Sequence, residues 1–137
     1  MTHTTTVPLR WSDLDAVGHV NNATYLTLCE QCRVEALAAL DADDWTESGP
    51  VVAEATVRYL RPITDAVPVE VSVTFGQPGL TSIATTQEIR LPGDEAPRAT
   101  AEVRLVWVDA STGRPTPIPD RIRQQLTGPT SGTTAET

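Results

Sequence analysis

The segment Asp13-Leu14-Asp15-Ala16-Val17-Gly18-His19-Val20-Asn21-Asn22 gathers two carboxylates, a glycine, a histidine and two amides directly ahead of a helical stretch. A helix start exposes backbone N–H donors and a partial positive charge, so a carbonyl oxygen gaining negative charge there is stabilised. Asp15 is placed to attack the carbonyl carbon or to take a proton from water beside it. Residue types and spacing therefore point to acyl chemistry. Gly18 lets the backbone turn sharply and approach a ligand. His19 can assist water, orient Asp15 or satisfy loop carbonyls, while Asp13 reads as a turn residue that accepts backbone hydrogen bonds.

The elements that must position these groups follow from pattern. Val7 to Trp11 reads as a short extended segment. A helix is expected from Asn22 to Leu40, with Tyr25, Cys29, Cys32, Ala36 and Leu40 at helical spacing. Asn21 is its N-cap, because an asparagine oxygen accepts from an orphan N–H of the first turn. Asp41 to Pro50 reads as a loop. Four strands are then expected, over Val51 to Leu60, Val67 to Phe75, Leu80 to Leu91 and Arg98 to Asp109. The second is the clearest, since Val67, Val69, Val71, Val73 and Phe75 alternate with polar residues and a proline. A short helix over Asp120 to Leu126 follows. Together these predict an α+β domain over residues 1–126, an antiparallel meander curved around one long helix. Thr127 to Thr137 lacks large apolar residues and is expected to be a disordered tail.

The chain has 137 residues, 39% of them hydrophobic, enough for one lean core that self-association would help to complete. Ten basic against 18 acidic residues give a formal charge of −8, which disfavours nucleic acid and anionic membrane as partners. An anionic ligand must be met locally, and all ten basic residues are arginine, suited to bidentate phosphate contact. Met1 to Val7 lacks the apolar core of a secretory signal, and no run approaches membrane-spanning length, so a cytoplasmic protein is expected. Cys29 and Cys32 lie past the first helical turn with few soft partners. They read as buried packing rather than a metal or redox pair. Glu30 and Arg33, three apart, read as a helix-surface ion pair.

The run Arg10-Trp11-Ser12-Asp13-Leu14-Asp15, then Gly18-His19-Val20-Asn21-Asn22 and Tyr25, resembles the D-x-D-x-x-G-H-V-N-N signature of hotdog-fold acyl-CoA thioesterases, in particular the group similar to 4-hydroxybenzoyl-CoA thioesterase. Val57-Arg58-Tyr59-Leu60-Arg61-Pro62 and the segment from Val106 to Pro115 resemble the second and last strands of that family, and element order matches from Val7 to Leu126. The resemblance implies a hotdog fold and a catalytic role for Asp15, with His19 and the backbone N–H of Asn22 beside it. Gly18, Val20, Asn21 and Tyr25 become candidate substrate contacts, and Arg58 and Arg61 candidates for the coenzyme A phosphates. Plant acyl-carrier-protein thioesterases share a similar run but place an asparagine two residues after the aspartate, where this chain has Val17.

The implied reaction is hydrolysis of an acyl-CoA to free acid and coenzyme A, with no metal or redox cofactor. The implied assembly is a homodimer, or a pair of dimers, whose sheets join edge to edge around the acyl pocket. The chemistry is sound on its own terms. A leaving thiol with a pKa of about 8.5 needs no strong general acid. One well-placed amide donor supplies on the order of 3 kcal/mol, about two decades of rate. Two readings stand beside it: a hotdog hydratase or dehydratase that uses Asp15 and His19 on the acyl chain, and a non-catalytic acyl-thioester-binding protein.

Overall fold

A computed structural model describes residues 1–127. Its core is a five-stranded antiparallel sheet in the order β1-β3-β4-β5-β2, formed by β1 (Thr2–Val7), β2 (Ser48–Tyr59), β3 (Val69–Phe75), β4 (Ser82–Arg90) and β5 (Ala99–Asp109). Helix α1 (Asn22–Ala39) lies against β3 and β1, and α2 (Asp120–Thr127) closes the described chain. The architecture is α+β, as expected. The expected tail lies outside the described residues, apart from Thr127, which ends α2.

The alternation read in β3 is the one that forms the core. Val69, Val71, Val73 and Phe75 are buried, and Ile83 and Ile89 of β4 and Val103, Leu105 and Trp107 of β5 continue the same face. Each fully buried aliphatic side chain contributes roughly 1.5–3 kcal/mol relative to an exposed one. Tyr25, Cys29, Cys32 and Ala36 of α1 pack onto that face. Desolvation pushes the Cys29 thiol up to about 11 and the Cys32 thiol up to about 12, which keeps both protonated and unreactive at neutral pH.

Several expectations are corrected. The first strand is Thr2–Val7 rather than Val7 to Trp11; Trp11–Asp13 is a single 3₁₀ turn. Threonine is β-branched, and an edge strand with mostly polar side chains can still pair, here with Thr2 opposite Thr74 and Val7 opposite Val69. The loop after α1 is shorter than expected because Ser48, Gly49 and Pro50 already belong to β2. The sheet is not a simple meander. β2 pairs with β5 at the far edge, and the chain from Leu60 to Pro68 crosses over to begin β3, anchored by the fully buried Ile63.

Arg33 is not on the helix surface. It is 7% exposed and donates through Nη1 to Gln87 Oε1 at 2.9 Å, while Gln87 Nε2 donates to the Cys29 carbonyl at 3.0 Å. Burial pulls the Arg33 pKa down from the usual arginine value. The Arg33–Gln87 bond and the Gln87–Cys29 bond fix the rotation of α1 over β4, and no Glu30–Arg33 ion pair forms among the described residues.

Ile63 should behave as a core residue despite lying in a connection. Ile63→Ala is expected to lower unfolding free energy by about 2–5 kcal/mol in urea titrations; a loss under about 1 kcal/mol would show that the crossover does not plug the core.

Candidate active site

The loop ahead of α1 is closed by its own backbone. The Asp15 N–H donates to the His19 carbonyl at 2.7 Å, the Gly18 N–H donates to the Asp15 carbonyl at 3.0 Å, and Leu14 and Val20 bridge across. Gly18 sits at φ +81°, where a side chain is disfavoured. The Val20 N–H donates to the Ile63 carbonyl at 2.8 Å, tying the loop to the crossover, and the Asn21 N–H donates to the Asp13 carbonyl at 2.9 Å. Asp13 is structural, as its turn position implied. Its carboxylate accepts from the Arg10 N–H at 2.8 Å and from the Arg10 guanidinium at 3.0 Å, which holds it below the usual carboxylate range.

Asp15 is used asymmetrically. Its Oδ1 accepts from the Val17 N–H at 2.9 Å and the His19 N–H at 3.2 Å, whereas Oδ2 has no hydrogen-bond partner among the described residues. One oxygen thus orients the carboxylate and the other stays available, on an exposed side chain.

The helix start is equally selective. Asn21 caps it, with Oδ1 accepting from the Ala23 N–H at 2.8 Å, and the Asn21 carbonyl accepts from Thr24 at 2.9 Å. Val20, Asn21, Ala23 and Thr24 all have acceptors. The Asn22 amide alone in this stretch has none among the described residues. It is a free donor at the positive end of an 18-residue helix.

These two free groups belong to residues that line one cleft of about 410 Å³, formed by Asp15, His19, Val20, Asn22 and Tyr25 with Tyr59, Leu60, Arg61 and Pro62. Of the residues named from sequence, Gly18, Asn21 and Arg58 are not in this lining. Gly18 and Asn21 shape it from behind, through the turn and the cap, and Arg58 is exposed elsewhere on β2. Arg61 is half-exposed on the cleft wall, where Nη2 donates to the Ala96 carbonyl at 2.9 Å and lies 3.6 Å from Asp94. Arg98 grips the same carboxylate at 2.9 Å and holds Asp94 below its ordinary range.

Tyr59 was not singled out in the sequence, yet it touches the site directly. Its hydroxyl donates to the Asn22 carbonyl at 2.9 Å, and its ring meets that of buried Tyr25 edge-on, 5.0 Å between centroids. The available signal was period two: in β2, Tyr59 shares a face with Val57, which packs against the core. Burial raises the Tyr25 phenol pKa, so that ring stays neutral and serves as packing under the cleft.

Comparison with known proteins shows the family. Residues 9–126 match the model of the thioesterase-like superfamily. The chain is 30% identical over 126 residues to the chloroplastic acyl-acyl carrier protein thioesterase ATL2 of Arabidopsis thaliana, an alignment that covers 88% of this chain and 66% of that protein. It is 26% identical over 125 residues to the long-chain acyl-CoA thioesterase FadM of Escherichia coli, covering 89% and 95%. A thioesterase from Thermus thermophilus, solved in complex with coenzyme A and Zn, superposes with a TM-score of 0.78 at 33% identity, covering 90% of this chain and 91% of that one. The chain thus spans about two thirds of the length of the plant relative and nearly all of the bacterial ones.

The Gly18 turn gives a direct test of the loop. A Cβ there would meet nothing within 4 Å, so any cost is conformational rather than steric crowding. Gly18→Ala should lower stability by about 1–2 kcal/mol, and Gly18→Asn by less, since asparagine tolerates the left-handed region. Equal stability of both variants and the parent by thermal unfolding would show that the positive φ is not enforced.

Proposed function

Since the chain belongs to the thioesterase-like superfamily and is a thioester hydrolase, we propose that it cleaves acyl-CoA thioesters to a free acid and coenzyme A, with Asp15 as the working carboxylate. The observation that carries this reading is that the free Oδ2 of Asp15 and the free amide of Asn22 belong to residues lining a single cleft. The thioester carbonyl oxygen docks on the Asn22 N–H, and charge developing on it in the tetrahedral state is met by that donor and the helix dipole. Asp15 either takes a proton from water, which adds to the carbonyl carbon, or adds itself to give a mixed anhydride that water then opens. In both routes the C–S bond breaks, the thiolate leaves and is protonated, and one water is consumed. His19 lines the same wall and is placed to orient the water. Tyr59 holds the Asn22 carbonyl and thereby braces the first turn of α1 beside the site.

Coenzyme A enters as part of the substrate, and the route uses no metal or redox cofactor. Arg61, half-exposed on the cleft wall, is the favoured contact for a phosphate. Arg58, outside that lining, is the weaker of the two arginines. The names of FadM and of the Thermus complex support coenzyme A as carrier, and a chain of net charge −8 is a poor match for an acidic carrier protein. We read the sheet and α1 as the hotdog arrangement, working as a homodimer joined along β2. That edge carries Val51, Val52 and Tyr59 about half exposed, an unpaired apolar strand of the kind that proteins cover. No described helix is long and apolar enough to cross a membrane, and two protonated free cysteines fit a cytoplasmic enzyme.

Thiol release from a panel of acyl-CoAs tests the reaction: hydrolysis liberates thiol, whereas hydration of the acyl chain or simple binding does not. Asp15→Asn retains a side-chain oxygen able to accept from Val17 and His19, so it should fold and bind normally while kcat falls about 10²–10⁴-fold; near-parental turnover would remove Asp15 from the chemistry. Arg61→Ala should raise KM with a smaller effect on kcat, and an unchanged KM would take Arg61 out of the phosphate site.

A further inference from the structure

The turn between β4 and β5 lies behind the cleft and contributes none of its lining residues. Its sequence, Leu91-Pro92-Gly93-Asp94, suits a type II turn: the proline presets φ at the second position, Gly93 takes φ +90° at the third, and the Asp94 N–H donates to the Leu91 carbonyl at 3.0 Å. The Asp94 side chain then folds back, and its Oδ2 accepts from the Leu91 N–H at 3.0 Å.

The same oxygen is where the turn meets the cleft wall. Arg98 Nε donates to it at 2.9 Å, and Arg61 Nη2 stands 3.6 Å from it while donating to the Ala96 carbonyl at 2.9 Å. Arg98 also grips the wall itself. Its Nη1 donates to the Pro62 carbonyl at 2.9 Å, and its carbonyl accepts from the Leu60 and Arg61 N–H groups at 2.9 and 3.1 Å. Leu60, Arg61 and Pro62 line the cleft, so one wall of the site is fastened from behind by residues 94 to 98.

The two arginines share Asp94 unequally. Arg98 makes the close contact and has a partner at every guanidinium nitrogen. Arg61 lies beyond hydrogen-bond distance of the carboxylate, its Nε and Nη1 have no partner among the described residues, and its side chain is 47% exposed. Two guanidinium groups against one carboxylate leave one positive charge, carried by the arginine that borders the cleft. Without the carboxylate the two cations would repel each other, and an exposed arginine set loose has many rotamers to lose on binding.

We propose that Asp94 is a positioning residue for recognition of the thiol carrier: standing between Arg98 and Arg61, it holds the Arg61 guanidinium at the cleft wall with Nε and Nη1 open to a phosphate of coenzyme A. The proposal rests on the reading of Arg61 as the phosphate contact and adds what keeps that contact in place. An arginine fixed before the phosphate arrives loses less freedom when it binds.

The test carries one acyl group, the best hydrolysed of the panel, on coenzyme A and on pantetheine, which has the thiol arm and no phosphate. The readout is the ratio of kcat/KM for the two thioesters. Arg61→Ala should lower that ratio about tenfold. Asp94→Ala should lower it about threefold or more, through KM of the coenzyme A thioester, with kcat and the pantetheine thioester little changed. In the Arg61→Ala background, Asp94→Ala should have no further effect on the ratio. Circular dichroism checks folding; if Asp94→Ala does not fold, Asp94→Asn keeps an oxygen for Leu91 and Arg98, removes the charge, and should lower the ratio in the same direction. An unchanged or raised ratio in the folded Asp94 variant overturns the proposal, as does an equal loss on both thioesters, which is the mark of a wall brace alone. A fall of the same size with Arg61 already removed overturns it too. If Arg61→Ala itself leaves the ratio unchanged, the phosphate reading fails and the proposal with it, while thioester hydrolysis stands.

Discussion

Asp15 uses one carboxylate oxygen to hold its own loop closed and keeps the other clear, and the remaining features of the site follow from that division. The Oδ1 bonds to the Val17 and His19 amides fix the side-chain direction without a second residue having to grip it. Because the loop closes on itself, through Leu14 and Val20 and a left-handed Gly18, the helix that follows begins immediately beside the carboxylate. The helix start shows the same economy of partners. Its cap and neighbouring amides are satisfied, and one N–H is left over. The free Oδ2 of Asp15 and the free N–H of Asn22 belong to residues that line the same cleft.

The sheet topology supplies the opposite wall. β2 ends at the helix start, so Tyr59 can reach the Asn22 carbonyl, and the crossover that follows carries Ile63 into the core and the Ile63 carbonyl to the Val20 amide. A simple meander would have placed β2 beside β3 and left the helix start without this support. The same long edge strand leaves Val51 and Val52 uncovered. The order of strands that builds the cleft therefore also leaves β2 as an edge strand with a partly apolar face exposed.

What the sequence disclosed, and what it concealed, divides along physical lines. The polar cluster, the Asn21 cap and the β3 alternation were legible because each is local: a carboxylate, a cap and a period of two need only neighbours in the chain. The threonine-rich first strand was not, since an edge strand shows no apolar periodicity and polarity there resembles a loop. Arg33 was misread as a surface residue because its partner, Gln87, lies 54 positions away and is itself polar. Arg58 and Arg61 look alike in sequence, yet only Arg61, past the end of β2, borders the cleft. Tyr59 escaped notice for the same reason as Arg33: its importance lies in a contact made across the fold.

The central claim, that the Asn22 amide receives the thioester oxygen beside Asp15, is tested most directly by proton–nitrogen NMR of the protein with a non-hydrolysable ketone analogue of an acyl-CoA. A hydrogen bond to the ketone oxygen should shift the Asn22 amide proton downfield and slow its exchange, while the already bonded Ala23 and Thr24 amides change little. Saturated binding of the analogue with the Asn22 resonance unmoved would contradict the account.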